Sequence, residues 1–188
     1  MITIDTKQCK TCNLCKTQEP LLDRHKRADV MWVGISAKQV EDIKTTRPLS
    51  EESNSGKILG KIESNSEELQ YYRTNLVKCP PLTDSGKLRY PNLNEQEACY
   101  SNLIGEIDTV KPKVVFMLGL KVSNFLLSKN DIKVDGFESG FNYTGYNVSG
   151  IHYVPVHHPS YVYVYKRKKM NAYVNAIKSV IKSNQVLS

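Results

Sequence analysis

Four short apolar runs punctuate the chain: Val30-Met31-Trp32-Val33, Leu76-Val77, Val114-Val115-Phe116-Met117-Leu118 and Tyr153-Val154-Pro155-Val156. Continuous runs of this kind, bounded by glycine, proline or polar residues, suit strands buried on both faces of a sheet. The second has the least periodicity, since it holds two apolar residues. Between the runs the pattern turns helical. Asn94 followed by Glu97 has the spacing of a capping box, and Leu103, Ile104, Ile107 and Val110 supply an apolar face that ends before Pro112. A second helix is expected after Gly119, burying Val122, Phe125 and Leu126. A third is expected from about Lys166, with Met170, Tyr173, Val174, Ile177 and Ile181 on one face. Such stripes are core contacts and carry no functional message. Strands alternating with helices predict an α/β fold, a central and mainly parallel four-stranded sheet flanked by helices. Ser50–Ser66 and Asp131–Gly150 are rich in Gly, Ser and Asn and read as loops.

Composition narrows the class. A length of 188 residues suits one domain spanning 1–188, with an N-terminal cysteine-bearing segment. With 40% hydrophobic and 24% charged residues the chain is neither disordered nor a membrane protein, and its apolar runs are too short to span a bilayer. Met1-Ile2-Thr3-Ile4-Asp5 lacks a basic region followed by an apolar stretch, so a cytoplasmic protein is expected. Lys and Arg number 26 against 19 Asp and Glu, a net charge of +7 that suits polyanionic partners. Part of that excess is one run, Lys166-Arg167-Lys168-Lys169, which reads equally as a solvated helix face.

The five cysteines change the picture more. Cys9, Cys12 and Cys15 are clustered, while Cys79 and Cys99 lie far downstream. An odd count with a tight cluster does not suit a disulfide framework. Two-residue spacing lets neighbouring thiolates converge on one metal centre, as in zinc and iron–sulfur sites. The nearest histidine is His25, and it is not in a zinc-finger spacing. The alternative is a set of reduced structural thiols.

Ligands of parallel α/β sheets bind outside the carboxyl ends of the strands. Three places qualify: Gly34-Ile35-Ser36, Asn75, and His157-His158-Pro159-Ser160-Tyr161. A neutral His158 there would donate a hydrogen bond to a developing oxyanion, or be a histidine satisfied by loop backbone. Asn75 offers the donor and acceptor needed to read an amide-like base edge, or serves a turn. Ser36 would position a water or phosphate, or cap a helix.

Several strings in one order resemble the iron–sulfur uracil-DNA glycosylases, often called family four. They are Cys9-x-x-Cys12-x-Leu14, Val30–Gly34, Glu41-Asp42, Thr74-Asn75-Leu76-Val77-Lys78-Cys79-Pro80-Pro81, Glu97-Ala98-Cys99, Lys111–Val115, Leu118-Gly119 and His158-Pro159-Ser160-Tyr161. The resemblance spans roughly four fifths of the chain, and several ordered anchors outweigh any single motif. It implies a [4Fe–4S] cluster held by Cys9, Cys12, Cys79 and Cys99, with Cys15 left over or exchanged into the set. It implies DNA, single- or double-stranded, as the partner of a monomer that hydrolyses the bond to uracil or another modified base in repair. Asn75 would contact the flipped pyrimidine in a pocket with Gly34, Ile35 and Leu49. His158 would stabilise charge on the departing base, and a water would sit near Ser36. Such enzymes extrude the base, because the glycosidic bond is unreachable inside the stack. Tyr161, Val162 and Tyr163 would fill the vacated space; Ser160, Lys166, Arg167 and Lys168 would meet the DNA.

Two motifs depart from that pattern. Where the family has Gly-Glu-Ala-Pro-Gly this chain has Gly34-Ile35-Ser36-Ala37-Lys38, so Ile35 replaces the acidic residue. Where the family has Pro-Phe-Val-Gly it has Pro48-Leu49-Ser50-Glu51, which removes the stacking ring. Glu41, Asp42, Glu51 and Glu52 are alternative carboxylates. The competing readings are a non-catalytic nucleic-acid-binding protein on the same fold, and an interaction protein with a vestigial pocket.

Overall fold

The structure is a computed structural model that describes residues 9–24, 27–64 and 68–185. His25 and the Met1–Asp5 segment lie outside the described residues. In chain order the elements are β1 (Val30–Ser36), α1 (Asn54–Glu63), β2 (Tyr71–Val77), α2 (Leu93–Val110), β3 (Val114–Leu118), α3 (Leu120–Ser128), β4 (Tyr146–Val148), β5 (Ile151–Val156), α4 (Pro159–Tyr165) and α5 (Met170–Gln185). Short 3-10 turns cover Asn13–Lys16 and Arg167–Lys169.

The strands form one sheet in the order β2-β1-β3-β5-β4; the first four are parallel and β4 is antiparallel to β5. The α/β architecture is as expected, but the sheet has five strands rather than four. The extra strand lies in a segment that reads as loop, because three half-exposed or exposed residues at an edge need no apolar run. From β1 the chain steps to β2 on one side, then crosses through α2 to β3 on the other. The carboxyl end of β1 is therefore the topological switch point, where a parallel sheet opens a crevice.

Alternation along β1 sends Met31 and Val33 into one core and Val30 and Trp32 into the other. The first core lies under α2 and α3, through Leu103, Ile107, Val110, Val122, Phe125 and Leu126. The second lies under α1, α4 and α5, through Ile58, Leu59, Ile62, Val162, Tyr173, Val174, Ile177 and Ile181. Trp32 is fully buried there, stacked on Phe116 with ring centroids 4.7 Å apart, and its indole N–H donates to Glu63.

Three expected boundaries move. Ser50–Ser66 contains α1, whose N-cap Ser53 accepts from the Gly56 N–H; residues 65–67 lie outside the described residues. The capping box of α2 is Asn92 with Glu95, not Asn94 with Glu97. Both pairs have the right spacing; Arg89 grips Glu95 with two hydrogen bonds of 2.8 and 2.6 Å, while Glu97 pairs with Lys129. The C-terminal helix starts at Met170, because α4 and a 3-10 turn occupy 159–169. No helix among the described residues is long and apolar enough to cross a membrane.

Candidate active site

β2 brings four polar side chains into the interior: Arg73, Thr74, Asn75 and, just beyond its end, Lys78, each no more than 2% exposed. Buried polar groups require partners, and three of the four have full sets. Arg73 reaches the α1 layer, where it donates to both carboxylate oxygens of Glu63 and to the Leu49 carbonyl at 2.7 Å. Lys78 reaches the α2 layer and is bonded to Glu106, to the Thr74 hydroxyl at 2.8 Å and to the Asn75 carbonyl at 2.6 Å. Tyr72 completes this network by donating to Glu106. Burial, followed by the Glu106 charge, holds the Tyr72 phenol far above its usual range.

Asn75 is the exception: its Oδ1 is buried without a hydrogen-bond partner. It lies beside Gly34, its register partner on β1, where an added Cβ would stand 2.3 Å from Oδ1 and 3.6 Å from Leu49 Cδ2. Only glycine admits the amide there. Leu49 sits in the left-handed region at φ 53, uncommon for a branched side chain. The Arg73 bond to its carbonyl fixes it, and α1 packs so closely that a Cβ on Gly56 would lie 2.4 Å from the same oxygen.

The other cluster lies at the start of α4. His158 is its N-cap; its Nδ1 accepts from the Ser160 N–H at 3.2 Å and stands 2.7 Å from the Ser160 hydroxyl. With Nδ1 accepting, the ring proton of the neutral form resides on Nε2. Burial, assisted by the charge of Lys38, lowers the His158 pKa to about 4. His157 behaves alike: burial, then Lys166, lowers its pKa to about 4. Its Nδ1 is 3.0 Å from the Tyr143 hydroxyl, and Phe137, Phe141, Tyr143 and Tyr161 surround its ring.

A groove of about 650 Å³ opens at the switch point, within the range of ligand sites. Ile35, His158, Ser160 and Tyr161 line it together with His157, Lys121 and Tyr90. Gly34, Asn75 and Leu49 form a second group, and none of the three is among the groove residues. Ser36 pairs with Val77 in the sheet and is not among the groove residues. Nor are Lys166, Arg167 and Lys168: Lys166 binds the Ser139 carbonyl, Arg167 covers the Tyr163 ring and Lys168 is exposed. Val162 is fully buried and Tyr163 packs on the core, which removes both as wedges and leaves Tyr161. No carboxylate lines the groove among the described residues. Glu41, Asp42 and Glu52 are exposed elsewhere, and Glu51 stands 3.6 Å from Arg73.

Sequence reasoning missed the Lys78–Glu106–Thr74 network and the cage around His157. One signal was present: Arg73-Thr74-Asn75 interrupts an apolar run, and polar residues on a central strand must pair.

All five cysteines are free thiols that line a second, much smaller cavity of about 10 Å³ with Lys78 and Asn102. Cys99 Sγ accepts from the Lys78 N–H at 3.4 Å and the Asn102 amide at 3.7 Å; the same amide is 3.6 Å from Cys9 Sγ. Cys15 instead donates to the Cys12 carbonyl at 3.2 Å. Burial pushes the Cys79 thiol up to about 12, and the charges of Cys99, Cys12, Cys15 and Cys9 add to it. Among the described residues no three His, Cys, Asp or Glu side chains converge on one metal-ion position.

Comparison with known proteins agrees with this geometry. A family model described as "Uracil DNA glycosylase superfamily" matches residues 22–182. Three curated relatives are each named "Type-4 uracil-DNA glycosylase". The protein of Saccharolobus solfataricus is 27% identical over 85% of this chain and 74% of its own length. That of Sulfurisphaera tokodaii is 29% identical over 86% and 66%, and that of Thermotoga maritima 27% over 83% and 78%. With most of its length matched, from ahead of β1 into the last helix, the chain belongs to the uracil-DNA glycosylase superfamily.

Proposed function

We propose that the protein is a DNA glycosylase, a monomer that hydrolyses the N-glycosidic bond of uracil or a closely related base. The observation that carries this reading is the unpartnered Oδ1 of Asn75, buried against a glycine. A buried acceptor left without a donor costs about 1–3 kcal/mol, and a base N–H would supply the donor. Leu49 offers the base an apolar contact in place of an aromatic ring. His158, neutral and protonated on Nε2, donates to a base carbonyl as negative charge grows on the leaving group. Water then bonds to the sugar carbon as the carbon–nitrogen bond breaks, and its proton passes to the released base; Ser36, the residue expected to hold that water, lies at the end of β1 outside the groove. Ser160 and Tyr161 approach the DNA beside the extruded nucleotide, and Lys166, Arg167 and Lys168 meet phosphates.

The donor chemistry suits an iron–sulfur cluster: five cysteine sulfurs line the second cavity, with no histidine or carboxylate among its lining residues. So many adjacent thiols ionise together only around positive charge. Cys9, Cys12, Cys79 and Cys99 would hold a [4Fe–4S] cluster, whose iron–thiolate bonds would tie the N-terminal segment to β2 and α2.

A second reading, a nucleic-acid-binding protein without turnover, is favoured by the carboxylate-free groove. Oligonucleotides carrying one uracil, treated with protein and then alkali, separate the two. Strand scission that His158→Ala abolishes with DNA affinity retained establishes the glycosylase. DNA binding without scission, on uracil and on other modified bases, establishes the binding protein.

A further inference from the structure

Both walls of the groove carry exposed apolar surface beyond what base reading requires. On α4, Tyr161, Val164 and Tyr165 form an i, i+3, i+4 stripe, 44%, 62% and 74% exposed. Facing them is Tyr90, 63% exposed, flanked by exposed Leu88 and Leu93. Clustered exposure of this kind marks an interaction surface.

The rings are ordered. Tyr161 lies nearly parallel to buried His157, with centroids 5.7 Å apart and planes at 19°. Tyr165 follows at 5.1 Å and 41°, so a ladder of rings climbs from the inner end of the groove to solvent. Cations accompany it. Lys121 Nζ stands 3.6 Å over the Tyr90 ring, and Lys166–Lys169 continue directly from Tyr165. Rings interleaved with positive charge match a strand of unstacked bases, whose faces seek aromatic surface while their phosphates seek cations. A duplex keeps its bases stacked on one another and offers such rings nothing.

We propose that Tyr90, Tyr161 and Tyr165 form a stacking platform for unpaired nucleotides beside the extruded base, so that this protein prefers single-stranded DNA to duplex. The proposal deepens the glycosylase reading and relies on it only for which nucleotide enters the pocket. Its test is therefore made by binding: fluorescence anisotropy with labelled uracil-free oligonucleotides, single-stranded and duplex, at one salt concentration. Wild-type protein should bind the single strand more tightly. Tyr165→Ala and Tyr90→Ala, at exposed positions, should each weaken single-strand binding about tenfold and duplex binding less than twofold, with Tyr165→Phe close to wild type. Equal losses on both DNAs would overturn the platform. So would unchanged single-strand affinity, which would leave this face to a protein partner. Excision of uracil and of other modified bases by the same preparations is read separately: stacking losses with no excision of any of them would refute the glycosylase and keep the platform.

Discussion

On the β2 side of the site, polar groups are buried and locked; on the β1 side, at the same level of the sheet, they are missing. Lys78, Thr74, Tyr72 and Glu106 close a network that grips the Asn75 backbone from the α2 face, and leave Asn75 Oδ1 waiting on the other. Gly34-Ile35-Ser36 faces it with nothing ionisable, and the groove beyond holds no carboxylate among the described residues. A buried amine costs several kcal/mol to desolvate, so the β2 side is expensive to build and fails if one member is lost. The β1 side is two half-buried side chains that change without disturbing the core. Asn75 is thus built into the fold, whereas Ile35 and Ser36 occupy positions that substitute cheaply.

Breaking the β2 side should give the largest effect. Lys78→Met leaves Glu106 buried without its cation and should cost about 3–5 kcal/mol in urea unfolding. Adding Glu106→Leu should recover a large part of that loss. A cost below about 1 kcal/mol would show that the two sides do not differ as described. Restoring the β1 side comes next. Ile35→Glu returns a carboxylate to the groove and should raise the single-turnover rate at least about tenfold, without a matching change in DNA affinity. An unchanged rate would place the limit elsewhere than β1.

The same contrast decides what was legible in sequence. Met31, Val33, Phe116 and Val154 announce their strands because burial on both faces requires apolar runs. Tyr71-Tyr72-Arg73-Thr74-Asn75 hides its own strand, since its polar residues are buried through partners on other elements, Glu63 on α1 and Glu106 on α2. Ser50–Ser66 looks like loop for a related reason: α1 needs Gly56 to approach the Leu49–Ser50 backbone, and glycine reads as a breaker. Asn75 and His158 are legible as candidates from their motifs. The groove is not, because Tyr90 and Tyr161 meet only after the sheet has formed.

Acid should sharpen the picture more gently. His157 and His158 are held neutral in the folded protein down to about pH 4, against 6.5 for free imidazole. Between those values the unfolded chain binds protons that the folded chain refuses, so stability falls as pH drops from about 6.5 to 4 and levels off below. Discounted for partial solvation, each ring accounts for a loss of order 2 kcal/mol. Unfolding free energies across that window should show it, with the drop reduced by about half in His158→Gln. A flat profile would mean that neither ring is held neutral by burial.

The smallest effect is expected at Cys15, and it tests how the N-terminal segment joins the β2 side. The sulfurs of Cys9 and Cys99 accept N–H bonds from Asn102, and Cys99 a further one from the Lys78 backbone. Cys15 does the opposite: it donates to the Cys12 carbonyl within the 3-10 turn, as a protonated thiol does. A serine hydroxyl preserves that donation. Cys15→Ser should therefore keep the broad visible absorption of a thiolate-bound iron cluster and change stability by no more than about 0.5 kcal/mol, whereas Cys79→Ser should bleach it. Bleaching by Cys15→Ser would place its sulfur on the cluster, and its hydrogen bond to the Cys12 carbonyl would have to break.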